Sequence, residues 1–173
     1  MKIRTEEPRD YSAVYALVKE AFGTLAHSDG TEADRVNENR NKSHFVPQLA
    51  LVAEEDDGQI VGYIVLHKMQ IEYTNGTTDV QVEVAPLAVR PDRFKQGIGA
   101  QLMEEGCKLA KELGFHAVFL CGHPSYYPRF GYVPTCQYHI YHVRDKEKNA
   151  PWCMVKELTP GYLGKKEAII DIE

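Results

Sequence analysis

An α/β domain built on a mixed, twisted sheet of about seven strands is predicted by three features of the sequence. An antiparallel meander rich in β-branched and aromatic residues fills positions 49–89, a strongly amphipathic helix follows a Gly-x-Gly turn, and a continuous apolar run succeeds that helix. The last two steps make a central β-α-β unit. A chain of 173 residues buries roughly 70% of its unfolded surface in one core, so residues 1–173 read as a single domain.

Residues 3–5 suit a short first strand, and Pro8-Arg9-Asp10 opens a helix in which Val14, Leu17, Val18, Ala21 and Phe22 share one face. From Gly23 to Pro47 the chain turns polar. Here Thr31-Glu32-Ala33-Asp34 caps a weak second helix reaching Asn39, and the stretch is expected to be the most mobile. Residues 49–54 and 60–73 form a hairpin across Asp56-Asp57-Gly58, and Asn75-Gly76 supplies a tight primed turn that returns residues 80–89 onto the previous strand. Pro86 lacks a ladder donor, which predicts a bulge or splayed edge at 85–87 and backbone groups left for a ligand.

The third helix carries Ile98, Leu102, Met103, Cys107, Leu109, Ala110 and Leu113 largely on one stripe and stops at Gly114. Residues 117–121, apolar throughout, are expected to lie parallel to their predecessor in a sheet covered on both faces. A short segment at 124–130 and strands at 138–143, 153–158 and 168–172 complete the chain.

Composition narrows the function. Twenty Lys and Arg against 25 Asp and Glu leave a net charge of −5, without the basic surplus of a nucleic-acid binder. Cys107, Cys121, Cys136 and Cys153 lie 14, 15 and 17 residues apart, with no CxxC or paired-His spacing, so no metal site is expected. His27, His44, His67, His116, His139 and His142 show no ligand spacing either. No apolar leader or membrane-spanning run is visible, which points to the cytoplasm with free thiols.

The chemistry concentrates between Val84 and Leu102. A strand, a tight loop with Gly97-Ile98-Gly99 and a helix start place loop N–H groups, orphan helix donors and a helix dipole around one point, with Lys95 able to add a full charge. This suits an anion. Equally, the two glycines read as a sharp structural turn. A dinucleotide fingerprint is disfavoured, because Leu102 stands where a third glycine is needed and the strands before it form a meander.

Pro86-Leu87-Ala88-Val89, Gly97-Ile98-Gly99 and Tyr126-Tyr127-Pro128-Arg129-Phe130-Gly131-Tyr132 together resemble the GCN5-related N-acetyltransferase (GNAT) family, in its small bacterial branch with a Tyr-Tyr-x-Arg-Phe-Gly-aromatic signature. The resemblance implies the acyl-CoA N-acyltransferase fold, acetyl-CoA as acyl donor, and an opening between the fourth and fifth strands. It implies a cofactor site at Leu87, Ala88, Val89, Lys95, Gln96, Gly97, Gly99 and Ala100, with Arg93 nearby and the Leu87 N–H toward the thioester carbonyl. Phe94 departs from the family's Gln or Arg. Glu83 stands where several members carry a catalytic base, and Tyr127 where the family places the tyrosine facing the cofactor sulfur, whose phenol is expected to act as the acid that protonates the departing thiolate.

Each of these residues also has a plainer reading. Glu83 falls in the polar half of the alternating Asp79-Val80-Gln81-Val82-Glu83-Val84, Tyr126 and Tyr127 suit an aromatic core, and Arg129 suits a capping or salt-bridge role. Cys121 with His123 offers a nucleophile and base without a third orienting group. The activity implied is acetyl transfer to a primary amine by direct attack, the acceptor being a small molecule or peptide. A CoA-binding or sensing module with little turnover and a plain interaction domain are the other readings. The aromatic strand at 138–143 allows edge pairing into a homodimer.

Overall fold

The structure, a computed structural model, describes residues 1–26 and 28–173, so His27 lies outside the described residues. The elements in chain order are β1 (Lys2–Thr5), α1 (Tyr11–Gly23), α2 (Glu32–Asn39), β2 (Ala50–Glu54), β3 (Ile60–Tyr73), β4 (Thr78–Val89), α3 (Ile98–Glu112), β5 (Ala117–Cys121), β6 (Val133–Pro134), β7 (Ile140–His142), β8 (Cys153–Glu157) and β9 (Ala168–Ile170). They divide into two compact units, Met1–His67 with Ala85–Leu109, and Lys68–Val84 with Ala110–Glu173. Strands β3 and β4 contribute to both.

In the first unit β1 pairs antiparallel with β2, and β2 antiparallel with β3. Every residue from Val61 to His67 is buried, as a strand covered on both faces requires. One face takes α3. A Cβ built on Gly62 lies 2.8 Å from both Ile98 Cγ2 and Leu102 Cδ1, so glycine there lets the helix sit directly on the strand. On the other face Tyr63, Val65, Ala50, Val52 and Ala88 pack with the predicted α1 stripe Val14, Leu17, Val18 and Ala21 and with Ala33 and Val36 of α2. Thr31 does not cap α2, because its hydroxyl donates instead to Asp29 Oδ1 at 2.7 Å.

The second unit changes the burial rhythm. From Lys68 to Tyr73 exposed and buried residues alternate, and Met69, Ile71 and Tyr73 join Ala117, Phe119, Cys153, Val155 and Ile170 in one core. β4 pairs in parallel with β5 at Val82↔Val118 and Glu83↔Phe119, and β5 pairs antiparallel with β8 from Ala117↔Glu157 to Cys121↔Cys153. β9 joins β3 antiparallel and β7 in parallel. Among the described residues the sheet has nine strands; the unannounced one is the two-residue β6 against β8.

Two local expectations are corrected and one is met. Asn75 does not take positive φ, as a primed two-residue turn demands; only Gly76 does, at +83°, and Asn75 Oδ1 accepts from the Thr77 N–H at 3.0 Å. The splay expected at 85–87 agrees with the pairing: β4 runs on through Pro86 to Val89, but among the described residues it pairs with β5 only at Val82↔Val118 and Glu83↔Phe119, ahead of Pro86. Leu113 is 44% exposed, because the helix has already ended in a Schellman motif: the Phe115 N–H donates to the Ala110 carbonyl and Gly114, at φ +89°, donates to Lys111.

Candidate functional site

In the first unit β4 ends at Val89 and the chain turns at once. The Arg90 N–H donates to the Val61 carbonyl at 2.9 Å and the Arg93 N–H to the Arg90 carbonyl at 2.9 Å, closing a short 3-10 turn over Pro91–Arg93. Lys95 at φ +64° and Gly97 at φ +80° then take the chain twice through the left-handed region. For a lysine that conformation costs on the order of 1 kcal/mol, and such strain concentrates where backbone is held for a ligand. The Gln101 N–H bonds the Gly97 carbonyl at 3.1 Å, which leaves the N–H groups of Ile98, Gly99 and Ala100 without an intrahelical acceptor. The donor set suits a pyrophosphate: backbone N–H groups at the positive end of a 15-residue helix.

Side-chain charge contributes less than the sequence suggested. Arg93 Nε donates to Glu55 at 2.9 Å and its Nη1 to Asp92 at 2.9 Å, and Arg90 is held by Asp92 and Gln59. Both guanidinium groups are therefore engaged by neighbours. Lys95 and Gln96 are exposed, and the Gln96 amide reaches back to the Asp92 carbonyl. Phe94, at 50% exposure, turns its ring to solvent. On β4 the Ala88 side chain is buried toward α1 and α2, with Leu87 and Val89 half-buried.

The second unit holds Glu83 and Tyr127. Strand alternation would expose Gln81 and bury Val80, and the reverse is found: Gln81 is 1% exposed and Val80 48%. The Gln81 Oε1 accepts from the N–H groups of His116 and Ala117, at 2.8 and 3.0 Å, and so seats the start of β5 beside β4. Sequence pattern hid this residue, since nothing local marks a strand glutamine as a substitute for ladder partners. Two residues on, Glu83 is half-buried and accepts from the Glu173 N–H at 3.2 Å. Burial, opposed by that hydrogen bond and reinforced by the nearby carboxylates of Glu173 and Asp171 and by Cys153, pushes its carboxyl up to about 7. It is not a solvated strand glutamate.

Tyr127 opens a short 3-10 segment, Tyr127–Phe130, that ends on Gly131 at φ +87°. Its ring meets Tyr126 edge-on at 5.0 Å and Tyr132 at 6.0 Å, and burial followed by Tyr126 pushes its phenol up to about 12. A Cβ built on Gly122 would lie 2.2 Å from Tyr127 Cε2, so only glycine at the end of β5 admits this ring. Glu83 pairs with Phe119 on β5 and Tyr127 covers Gly122, the residue just after β5, three residues further along the chain. Arg129 is structural: its Nε donates to the Tyr126 carbonyl at 2.9 Å and its guanidinium lies 4.6 Å over the Tyr126 ring.

Cys121 and His123 do not act as a pair. The Cys121 thiol lies 3.9 Å from the Ile172 carbonyl and engages Cys153, whose hydrogen bond, together with burial, raises the Cys121 thiol far above its ordinary range. His123 Nδ1 instead meets the Ser125 hydroxyl at 2.8 Å.

A family model described as the acetyltransferase (GNAT) family matches residues 11–132. The chain belongs to the GNAT acetyltransferase family. The uncharacterized N-acetyltransferase YhbS of Escherichia coli K12 is 36% identical over 133 residues, covering 76% of this chain and 73% of that one. A crystal structure of Escherichia coli YhbS in complex with CoA superposes with a TM-score of 0.83 at 28% identity, over 99% of this chain and 89% of that one. A GNAT acetyltransferase of Brucella melitensis in complex with acetyl-CoA gives a TM-score of 0.71 at 28% identity, over 92% and 88% of the two chains. The fold is thus the acyl-CoA N-acyltransferase fold, and the chain is an N-acetyltransferase. Among the described residues no helix is long and apolar enough to cross a membrane.

Proposed function

We propose that this GNAT protein transfers the acetyl group of acetyl-CoA to a primary amine by direct attack, with Glu83 as base and Tyr127 as hydrogen-bond donor to the departing sulfur. The observation that carries the reading is the Glu83 carboxyl, raised to about 7 on the strand that leads to Leu87. The pyrophosphate is assigned to the backbone N–H groups of Lys95, Gln96, Gly97, Gly99 and Ala100, and the pantetheine arm to the main chain of Leu87, Ala88 and Val89. Acetyl-CoA supplies a thioester carbonyl, and the chain's own residues supply position and proton management.

An alkylammonium of pKa about 10 has no lone pair, so the acceptor attacks as the neutral amine after losing one proton to solvent; as its nitrogen bonds to the thioester carbon, a remaining N–H acidifies below the carboxyl near 7 and its proton passes to Glu83. A phenol near 12 does not surrender its proton to a thiolate of pKa about 8.5. Tyr127 therefore stabilises the developing thiolate by hydrogen bonding, and solvent completes its protonation. Direct attack is favoured over an acyl-enzyme because neither cysteine near Glu83 presents an exposed thiolate: Cys121 is held as a thiol by Cys153 and burial, and Cys153, which the Cys121 hydrogen bond lowers, is fully buried at the start of β8.

The acceptor is a small-molecule or peptide amine, the protein works in the cytoplasm as one domain over residues 1–173, and it falls in the branch carrying Tyr-Tyr-x-Arg-Phe-Gly-aromatic. A homodimer would pair through the free edge of β7, since Tyr138 lies in a 3-10 turn bonded to Glu157 and β9 takes the other edge. Thiol release from acetyl-CoA across a panel of amines tests the reading; binding of acetyl-CoA without release on any amine would favour a sensing module instead.

Gly122→Ala is expected to displace the Tyr127 ring and lower kcat about 10- to 100-fold with little change in acetyl-CoA affinity. An unchanged kcat in that variant would remove Tyr127 from the chemistry.

A further inference from the structure

The residues that follow β9 are tied down by contacts that no strand pairing requires. His142, 2% exposed at the end of β7, accepts from the Arg144 N–H through Nδ1 at 3.0 Å. Its proton therefore sits on Nε2, which donates to the Ile172 carbonyl at 2.9 Å. The Trp152 ring, edge-on at 4.9 Å, fixes the imidazole plane, and the Ile172 side chain is buried in the core of the second unit. One residue further, the Glu173 N–H meets Glu83 Oε2.

We propose that His142 and residues 171–173 form a positioning element for the base: His142 anchors the Ile172 peptide, and the Glu173 N–H holds one Glu83 oxygen so that the other is presented to the acceptor amine. This rests on the reading of Glu83 as the base. A carboxylate on a strand has free rotation about its terminal torsion, and a backbone donor fixed by a buried anchor removes it. The same N–H favours the ionised form and opposes the burial and like charges that raise Glu83. The ionisable groups that face Glu83 are Asp171 and Glu173 after β9, Cys153 on β8 and Cys121 on β5.

The experiment follows the Glu83 carboxyl carbon by NMR in glutamate-labelled protein, its signal assigned by its absence in Glu83→Gln. Glu173→Ala keeps the N–H and removes a like charge, so the Glu83 midpoint falls below that of the wild type. Glu173→Pro removes both charge and N–H, and its midpoint is expected at least about half a pH unit above that of Glu173→Ala. His142→Phe shifts the midpoint upward and lowers kcat about tenfold with acetyl-CoA affinity unchanged, and His142→Gln, whose side-chain amide reaches the same carbonyl, restores both. Equal midpoints in the Ala and Pro variants would overturn the proposal, as would a wild-type midpoint in His142→Phe. The titration is read without turnover, so inactivity throughout the series with the Ala–Pro difference intact would sink only the base assignment.

Discussion

Glu83→Gln is expected to lower kcat about 10²- to 10³-fold while changing acetyl-CoA affinity less than about threefold. The amide keeps the shape of the side chain and an oxygen for the Glu173 N–H, but it cannot accept a proton from an amine at neutral pH. The pH dependence carries the sign. The base works when ionised, so wild-type kcat rises with pH through about 7 and levels above it, and at pH 6 the rate is about one-tenth of the plateau. In Glu83→Gln this ascending limb disappears. An acceptor whose own pKa lies outside pH 5–9 keeps its titration from mimicking that of the enzyme.

Stability should move the other way. A carboxyl whose folded pKa is raised from 4.5 to about 7 favours the folded state while it is protonated, and that contribution is lost as pH rises through 7. Glu83→Gln is therefore expected to gain more in Tm at pH 8 than at pH 5. A variant that kept the wild-type pH profile and rate would show that Glu83 is a structural carboxyl.

Gly99→Trp is the second large effect, expected to weaken acetyl-CoA binding at least about 100-fold by calorimetry with α3 still formed by circular dichroism. Gly99 lies buried in the first turn of α3, among the N–H groups that have no intrahelical acceptor. A bulky side chain there covers the donors without deleting any of them. Lys95→Ala, by contrast, removes a single exposed charge and is expected to cost several-fold, with the loss shrinking at high salt. Binding to Gly99→Trp at wild-type affinity would take the pyrophosphate away from this loop.

Elements that repeat one pattern over many residues were legible in the sequence. The β3 span, the α3 stripe from Ile98 to Ala110 with its stop at Gly114 and the apolar β5 run match the structure, because core burial and periodicity agree there; only Leu113, past the last helical turn, breaks the stripe. The turn into α3, the proposed phosphate site, was legible as a turn for the same reason, its glycines and helix start being local. What escaped notice lies in contacts between elements. Gln81 is buried by N–H groups 35 and 36 residues away, Gly122 is dictated by a ring five residues on, and Glu83 meets a backbone group 90 residues away. Arg93 misled for a related reason: the loop charge read as free for phosphate is bound by Glu55 on the β2–β3 turn.

The most direct measurement is an initial-rate grid of thiol release with acetyl-CoA and amine both varied. Direct attack in a ternary complex predicts lines that intersect, and no stoichiometric burst of thiol before amine is added. Parallel lines with a burst would mean an acetylated enzyme, and would contradict the account in which Glu83 activates the amine and Cys121 stays a half-buried thiol.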